Sequence, residues 1–352
     1  LWTTALAALA LLAIPSFAQA TYDPVGSGQT KLTIDKGFSS FLKKNGITLT
    51  ATAGAKRKGK TLTLPVTAGN LDPTLGLGEI DQEGTIAFQG AKGRVPLRKV
   101  TVKTKQATLI AKVGGGQLKV ATSSKRSSKR QGFGTKYSAK ALKLTAKVVT
   151  RLNKKLRPEV PFAQGQIVGA LTTTAQPRLI TILDQGRASV VLDPGFTSKM
   201  ASLFVSINPI FPAEHPSGPT FTFPVALGGA LAPSGSEGTL RTAGSLEFLQ
   251  LGAGQVFQAE HWLDLASRID TAEVEVQPTP VFPGKLGRIG AYEIGAAPVS
   301  SDPRARTISV SGAPLTLTAS TAQSFNEAFA GGGAAFAAGE ALGVVSFIAQ
   351  GQ

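Results

Sequence analysis

The chain has 352 residues, enough for about two domains. Its 42% hydrophobic and 16% charged content excludes a wholly disordered chain, while 40 Gly and 21 Pro favour many short strands over long helices. With no cysteine, disulfides, thiolate metal sites and a cysteine nucleophile are excluded; two histidines disfavour a His-rich metal site, and a net charge of +16 attracts anions.

At the N-terminus, TALAALALLAIPSFAQA (4–20) is an apolar run ending in Ala18-Gln19-Ala20, the small-x-small pattern of a cleavage site. Residues 1–20 are expected to be a secretory signal peptide, with the mature chain beginning near Thr21, outside the cytoplasm. No later segment reaches the roughly 18 apolar residues of a membrane span.

TKLTI (30–34) is strand-like, and GFSSFLKKNG (37–46) places Phe38, Phe41 and Leu42 on one face of a short helix closed by Asn45-Gly46. ITLTAT (47–52) and KTLTLPV (60–66) flank a hairpin tip carrying Lys56, Arg57 and Lys58, and 68–78 reads as a loop crossing an end of the sheet. The segments 84–90, 94–104, 107–113 and 117–122 alternate apolar and polar residues, as half-buried antiparallel strands do. SSKRSSKRQGFG (123–134) reads as a basic, disordered tip; 145–156 shows Val148, Val149 and Leu152 at helical spacing, and 166–174 is a strand.

The same text then returns. TLTLPVTAGNLDPTLGLGEIDQEGTIAF (61–88) reappears as TFTFPVALGGALAPSGSEGTLRTAGSLEF (220–248), LTIDKGFSSF (32–41) as VVLDPGFTSK (190–199), and LKLTA with PFAQGQIVGAL as LTLTA with AFAAGEALGVV. The offset grows from 158 at Phe38 and Phe196 to 174 at Phe162 and Phe336, so the second copy carries an insertion, expected between Val276 and Thr307. A unit this long is a whole domain. The expected fold is all-β: two tandem antiparallel β-sandwich-like domains, 21–178 and 179–352, each with one or two short helices.

The copies differ in charge. Up to residue 178 there are 29 Lys plus Arg against 7 Asp plus Glu, and beyond it 8 against 14. Such a basic domain draws polyanions by its field and by counterion release, and the candidate contacts are Lys56, Arg57, Lys58, Lys60, Lys125, Arg126, Lys129 and Arg130, with Lys147, Arg151, Lys154, Lys155 and Arg157 on the late helix. Anionic cell-wall polymers suit an exported protein; nucleic acid is not expected, since no aromatic strip accompanies the lysines. Simple solubilising charge is the competing reading. For catalysis the only histidines are His215, in a Pro-rich turn, and His261, in AEHWLDL, read as a strand-edge residue beside Trp262. No enzyme is expected.

The order of the GFSSF helix, the TLPV strand with its G-x-L-D-P loop, the G-T-I-A-F-x-G strand leading to Gly93, and the closing LTA and FAxG resembles the Htaa domain of secreted and surface haem-uptake proteins of actinobacteria, in two copies. The resemblance implies a β-sandwich-like domain that clamps haem near the first helix, with a tyrosine phenolate on iron and a histidine in the turn after the F-x-G strand. Here the tyrosine position reads Phe41 and Lys199; the histidine position reads Ala91, and the second copy has no His in QLGAG (250–254). Phe offers iron no lone pair, and a lysine amine does so only when deprotonated. The pocket candidates are therefore Phe38, Phe41, Ala91, Phe196, Lys199 and Met200, for haem or a similar apolar ligand. Met200, the sole methionine, reads first as a core gap-filler.

Overall fold

The computed structural model describes residues 22–278, 284 and 286–352; the expected signal peptide lies outside the described residues. The first half runs β1 (Asp23–Ile34), α1 (Lys36–Lys44), β2 (Thr48–Thr52), β3 (Lys56–Lys58), β4 (Thr61–Leu71), β5 (Gly78–Gly90), β6 (Gly93–Lys103), β7 (Thr108–Val113), β8 (Gly116–Thr122), β9 (Lys125–Gln131), β10 (Gly134–Leu144), α2 (Ala146–Leu156) and β11 (Ile167–Pro177). The second runs β12 (Ile180–Leu192), α3 (Pro194–Ser202), β13 (Val205–Ile210), β14 (Glu214–Ser217), β15 (Thr220–Leu231), β16 (Gly238–Thr242), β17 (Ser245–Gln250), β18 (Gly254–Asp264), β19 (Ile269–Val276), β20 (Gly287–Ile294), β21 (Val299–Asp302), β22 (Thr307–Leu317), α4 (Ala319–Phe329) and β23 (Ala341–Gly351). The order of elements is the same in both, with β5 matched by the pair β16 and β17.

The fold is all-β, and each sandwich-like unit is one antiparallel sheet that closes on itself. In the first, β4 pairs with β5, closing the circuit β5-β6-β7-β8-β10-β11-β1-β4; in the second, β18 pairs with β19 and closes β18-β16-β15-β12-β23-β22-β20-β19. Closure depends on one long strand serving two partners. The first part of β5 pairs with β4 and the second with β2, with a register shift between Gln82 and Thr85. Gly84 sits at this bend at φ +114°, where a Cβ would lie 2.7 Å from the Ala55 nitrogen. Its counterpart Gly244, at φ +95°, would place a Cβ 2.4 Å from the Ala213 nitrogen, so both copies need glycine there.

Alternation along the strands fills the barrels. Leu32, Leu62, Leu64, Ile80 and Leu97 point into the first barrel, and Phe223, Leu240, Leu263 and Leu315 into the second. Eight strands leave an interior just wide enough for side chains. The voids left are about 30 Å³ in each barrel, room for a water or two and not for a cofactor.

Two segments differ from the sequence reading. The stretch 123–134 is not a disordered tip: β9 pairs with β10 from Lys125 opposite Lys140 to Gln131 opposite Gly134, continuing the register of β8. The 68–78 loop is shorter than expected, because β4 runs on to Leu71 and β5 starts at Gly78, leaving a turn in which the Asp72 carboxylate accepts from the Thr74 and Leu75 amides. The extra length of the second copy enters between β19 and β20, at 277–286, where the first copy has a two-residue turn.

Strand direction sets the ends. β1, β5 and β10 run parallel to one another, so α1, the β5–β6 hairpin and α2 all lie at one end of the first barrel. The opposite end meets the second barrel. There Asp23 and Arg306 form a buried pair at 3.3 Å, the Asp23 carboxylate also accepts from the Thr181 amide at 3.0 Å, and Arg306 donates to the Phe133 carbonyl at 3.2 Å. Phe133 itself packs into the core of the second barrel. At the rim Arg178 grips Glu237 through two hydrogen bonds of 3.0 and 2.9 Å.

Candidate functional site

With the barrels filled, ligand sites must lie on ends or outer walls. At the helical end of the first barrel, Asp35 caps α1 by accepting from the Gly37 and Phe38 amides at 2.8 and 3.1 Å. The cap fixes the rotation of a two-and-a-half-turn helix, and Phe38 and Leu42 turn into the core. Phe38 meets Phe88 edge-on at 6.4 Å, and Phe162 stands between them at 6.2 and 5.9 Å. Asn153 holds Phe162 in place, its amide donating to the Phe162 carbonyl at 3.0 Å and its oxygen accepting from the Phe162 amide at 2.8 Å. Asn45 accepts from the Val160 amide, tying the end of α1 to the same loop.

Phe41 closes this cluster. Its ring stacks on Phe38 at 6.1 Å and meets Phe162 edge-on at 5.0 Å, while the residue stays half-buried. Ala91 lies exposed at the tip of the β5–β6 hairpin, whose Gly90 packs near Ile47 and Leu156, beside the ends of both helices. Exposed Lys43, Lys44, Lys92, Lys154 and Lys155 surround this end. The arrangement offers an apolar ring face rimmed by ammonium groups. At positions 41 and 91 it offers no lone pair to a metal.

The second barrel is built alike but sealed. Asn326 clamps Phe336 through the same two bonds, both 2.8 Å, and Phe196, Phe248, Phe325 and Phe336 form the buried ring cluster. Lys199, at the place of Phe41, donates to Glu340 and to the Ala335 carbonyl, with its ammonium 5.2 Å from the Phe336 ring. The amine is thereby tied into the protein's own ion pair. Met200 is fully buried beside Phe196 and does not face the surface. Where the first hairpin carries Ala91, the second has Leu251, which with Phe204 is among the most exposed large apolar residues. Phe41, Ala91, Lys199, Met200 and Leu251 thus supply no free iron ligand, although the first end presents a face for a flat ring.

Catalytic furniture does not gather at these ends. His261 is not at a strand edge: β18 lies inside the sheet, and the ring is buried in the second barrel, 2.7 Å from Asp270. It stacks on Tyr292, which donates to Gln258. Thr242 lines the same small void, whose surroundings are otherwise apolar. His215 is exposed on β14, stacked on Phe221 at 4.6 Å, and is in no ion pair among the described residues, the neighbouring Glu214 facing Arg187 instead. No group of three or more metal-ligating side chains occurs among the described residues.

Neither buried tyrosine can reach an outside ligand. Burial pushes the Tyr292 phenol well above the ordinary tyrosine range, with the Asp270 charge adding to the shift, and burial raises Tyr137 against the opposing pull of Arg126. Both should therefore ionise above the ordinary tyrosine range of about 10 in the folded protein, so the phenolate absorbance at about 295 nm should lag behind that of the unfolded chain, with its three tyrosines, as pH rises past that range. Since the folded pKa values are raised, the stability they contribute is complete below about pH 10 and lost as pH climbs further. Full ionisation without loss of far-ultraviolet ellipticity would contradict this burial.

No family model matches the sequence, and no curated protein matches it. The structure is similar to both domains of HtaA from Corynebacterium glutamicum. The C-terminal domain of HtaA aligns with 18% identity and a TM-score of 0.38, over 49% of this chain and 98% of that one. The N-terminal domain of HtaA aligns with 20% identity and a TM-score of 0.37, over 49% and 99%. A domain-swapped dimer of a variant HtaA C-terminal domain gives 20% identity and 0.33, over 45% and 91%. No described helix of the present chain is long and apolar enough to cross a membrane.

The eight basic candidates separate by direction. Arg57 donates to the Leu49 carbonyl of β2 and to the Gly59 carbonyl, Arg126 to Thr104 and Arg130 to Pro73, so these three brace neighbouring backbone. Lys56, Lys58, Lys60, Lys125 and Lys129 are exposed, and none is in an ion pair among the described residues. Sequence reasoning passed over Lys31, Lys136 and Lys140, whose signal is their placement on the polar parity of their strands. It also passed over Asp270, which only the pairing of β18 with β19 brings to His261.

Proposed function

We propose that the protein is a secreted, non-enzymatic binding protein that holds haem or a similar flat apolar molecule at the helical end of its first barrel. The observation that supports this is Phe41: it is the half-buried member of an otherwise buried ring cluster, and it lies at an end rimmed by lysines. A ring stacked there gains about 0.5–1.5 kcal/mol beyond its buried area, and the lysines suit carboxylate substituents. Phe41 and Ala91 provide no iron ligand, so association should be weak and without a phenolate-to-iron band. Hemin titration followed in the visible range tests this. Stoichiometric binding with an oxygen-ligand spectrum would overturn the stacking reading.

A second reading, adhesion to anionic cell-wall polymers through the first domain, is favoured by the exposed lysines that have no carboxylate partner among the described residues.

A further inference from the structure

The polyanion reading leaves open where on the domain a polymer would lie. The outward parity of the first barrel's wall answers this. Lys129 stands opposite Lys136, and Lys125 opposite Lys140, across the β9–β10 ladder. Directly opposed like charges destabilise a sheet, so four lysines facing one another need a reason beyond folding. All four are exposed.

Between the two lysine pairs, Ser127 pairs with Ser138, which pairs with Thr172 on β11. Thr172 pairs with Lys31 on β1, Lys31 with Thr63 on β4, and Thr63 with Lys56 on β3. Opposite residues of an antiparallel pair share a face, so these side chains form one band of hydroxyls and ammonium groups over six strands. At a strand spacing of about 4.8 Å the band runs roughly 24 Å around the wall. The arginines of β3 and β9 point to the other face and hold it from behind, through the carbonyls named above.

The second barrel provides an internal control. Its wall places Ser189 where the first has Lys31, Ser309 where it has Lys136, and Glu214 where it has Lys56, the last facing Arg187 at 3.9 Å. Hydroxyls are kept on the same fold while the lysines are absent. Folding therefore does not require them.

We infer that this wall of the first barrel is a binding face for a linear anionic polysaccharide, one whose sulfate, phosphate or carboxylate groups meet the lysines and whose hydroxyls meet the Ser and Thr rows. Single-stranded nucleic acid fits less well, because the one aromatic side chain of these six strands, Tyr137, points inward and is buried, leaving no ring for base stacking. The inference rests on the second reading above and adds to it a face and a ligand class.

The test uses fluorescein-labelled dextran sulfate and the full-length mature protein, with anisotropy read across a salt series. Wild type should bind dextran sulfate and not uncharged dextran. The variant K31Q/K129Q/K136Q/K140Q, whose exposed positions leave the fold intact by circular dichroism, should bind at least tenfold more weakly at 0.1 M salt. Its log–log salt slope should be shallower by about 3, the counterions released by four contacts. The variant K99Q/K105Q/K112Q/K119Q, which removes the same charge from exposed positions on the β6 to β8 side of the barrel, should stay within about threefold of wild type. Equal losses in the two variants would mean that only net charge matters, and an unchanged wall variant would move the site elsewhere; either result overturns the face while the polyanion reading stands. No binding by wild type would overturn both. Tighter binding of an oligothymidylate of equal charge would replace the polysaccharide with nucleic acid.

Discussion

Replacing Arg306 with Ala should lower the unfolding free energy by about 3–5 kcal/mol, because it leaves the Asp23 carboxylate buried between the barrels with no countercharge. Both side chains are almost inaccessible, and the Arg306 Nε has no protein partner among the described residues. Burial raises the Asp23 carboxyl and lowers the Arg306 guanidinium, although each group pulls the other toward its charged form. Desolvation therefore outweighs attraction in this pair, and ionising Asp23 costs stability as pH rises above the ordinary carboxylate range of about 4. The two-residue replacement D23L/R306M should accordingly be close to neutral, within about 1 kcal/mol of wild type, despite losing the Thr181 hydrogen bond. Urea unfolding of the three proteins decides the matter. A single variant as stable as wild type would show that the barrels do not stabilise each other through this contact.

The substitution F41Y/A91H should convert weak hemin association into binding tighter by roughly 100-fold, which is about 2.8 kcal/mol. Phe41 already has its ring at the barrel end, held by Phe38 and Phe162. A phenol on that ring adds the oxygen ligand that iron lacks here. Histidine at position 91, at the hairpin tip on the same end, is expected to hydrogen-bond that oxygen; outer partners of this kind contribute about 10–100-fold in metal affinity. F41Y alone should thus gain less than the pair, and A91H alone almost nothing. The corresponding change in the second barrel, Lys199→Tyr, should fail, because it strips the largely buried Glu340 carboxylate of its ammonium partner. A double variant indistinguishable from wild type would show that this end has lost the shape as well as the ligands.

Much of the fold was legible because the chain states it twice. Phe38 and Phe196, Phe88 and Phe248, and Phe162 and Phe336 occupy equivalent places in the two barrels, and the alternating segments became strands as read. What hydrophobic pattern could not give was pairing. All seven residues of β9 are exposed, so no apolar periodicity marked it, and its strand character comes from its register with β10. Closure was hidden for a similar reason: the contact between β4 and β5 is a choice of partner, not a property of either strand. At the site, the apolar end was visible in the spacing of Phe38 and Phe41. The roles of the charges were not, since Arg126 and Lys125 are neighbours in sequence and face opposite sides of a strand.

The stacking reading is tested most directly by comparing hemin with iron-free protoporphyrin IX, titrated into the wild-type protein under identical conditions. If the ring face of Phe41 and its rim of lysines hold the ligand, iron adds nothing. The two dissociation constants should agree within about threefold, and Phe41→Ala should weaken both alike. Hemin bound more than tenfold tighter than the metal-free ring, with a band from an oxygen or nitrogen ligand, would contradict the account.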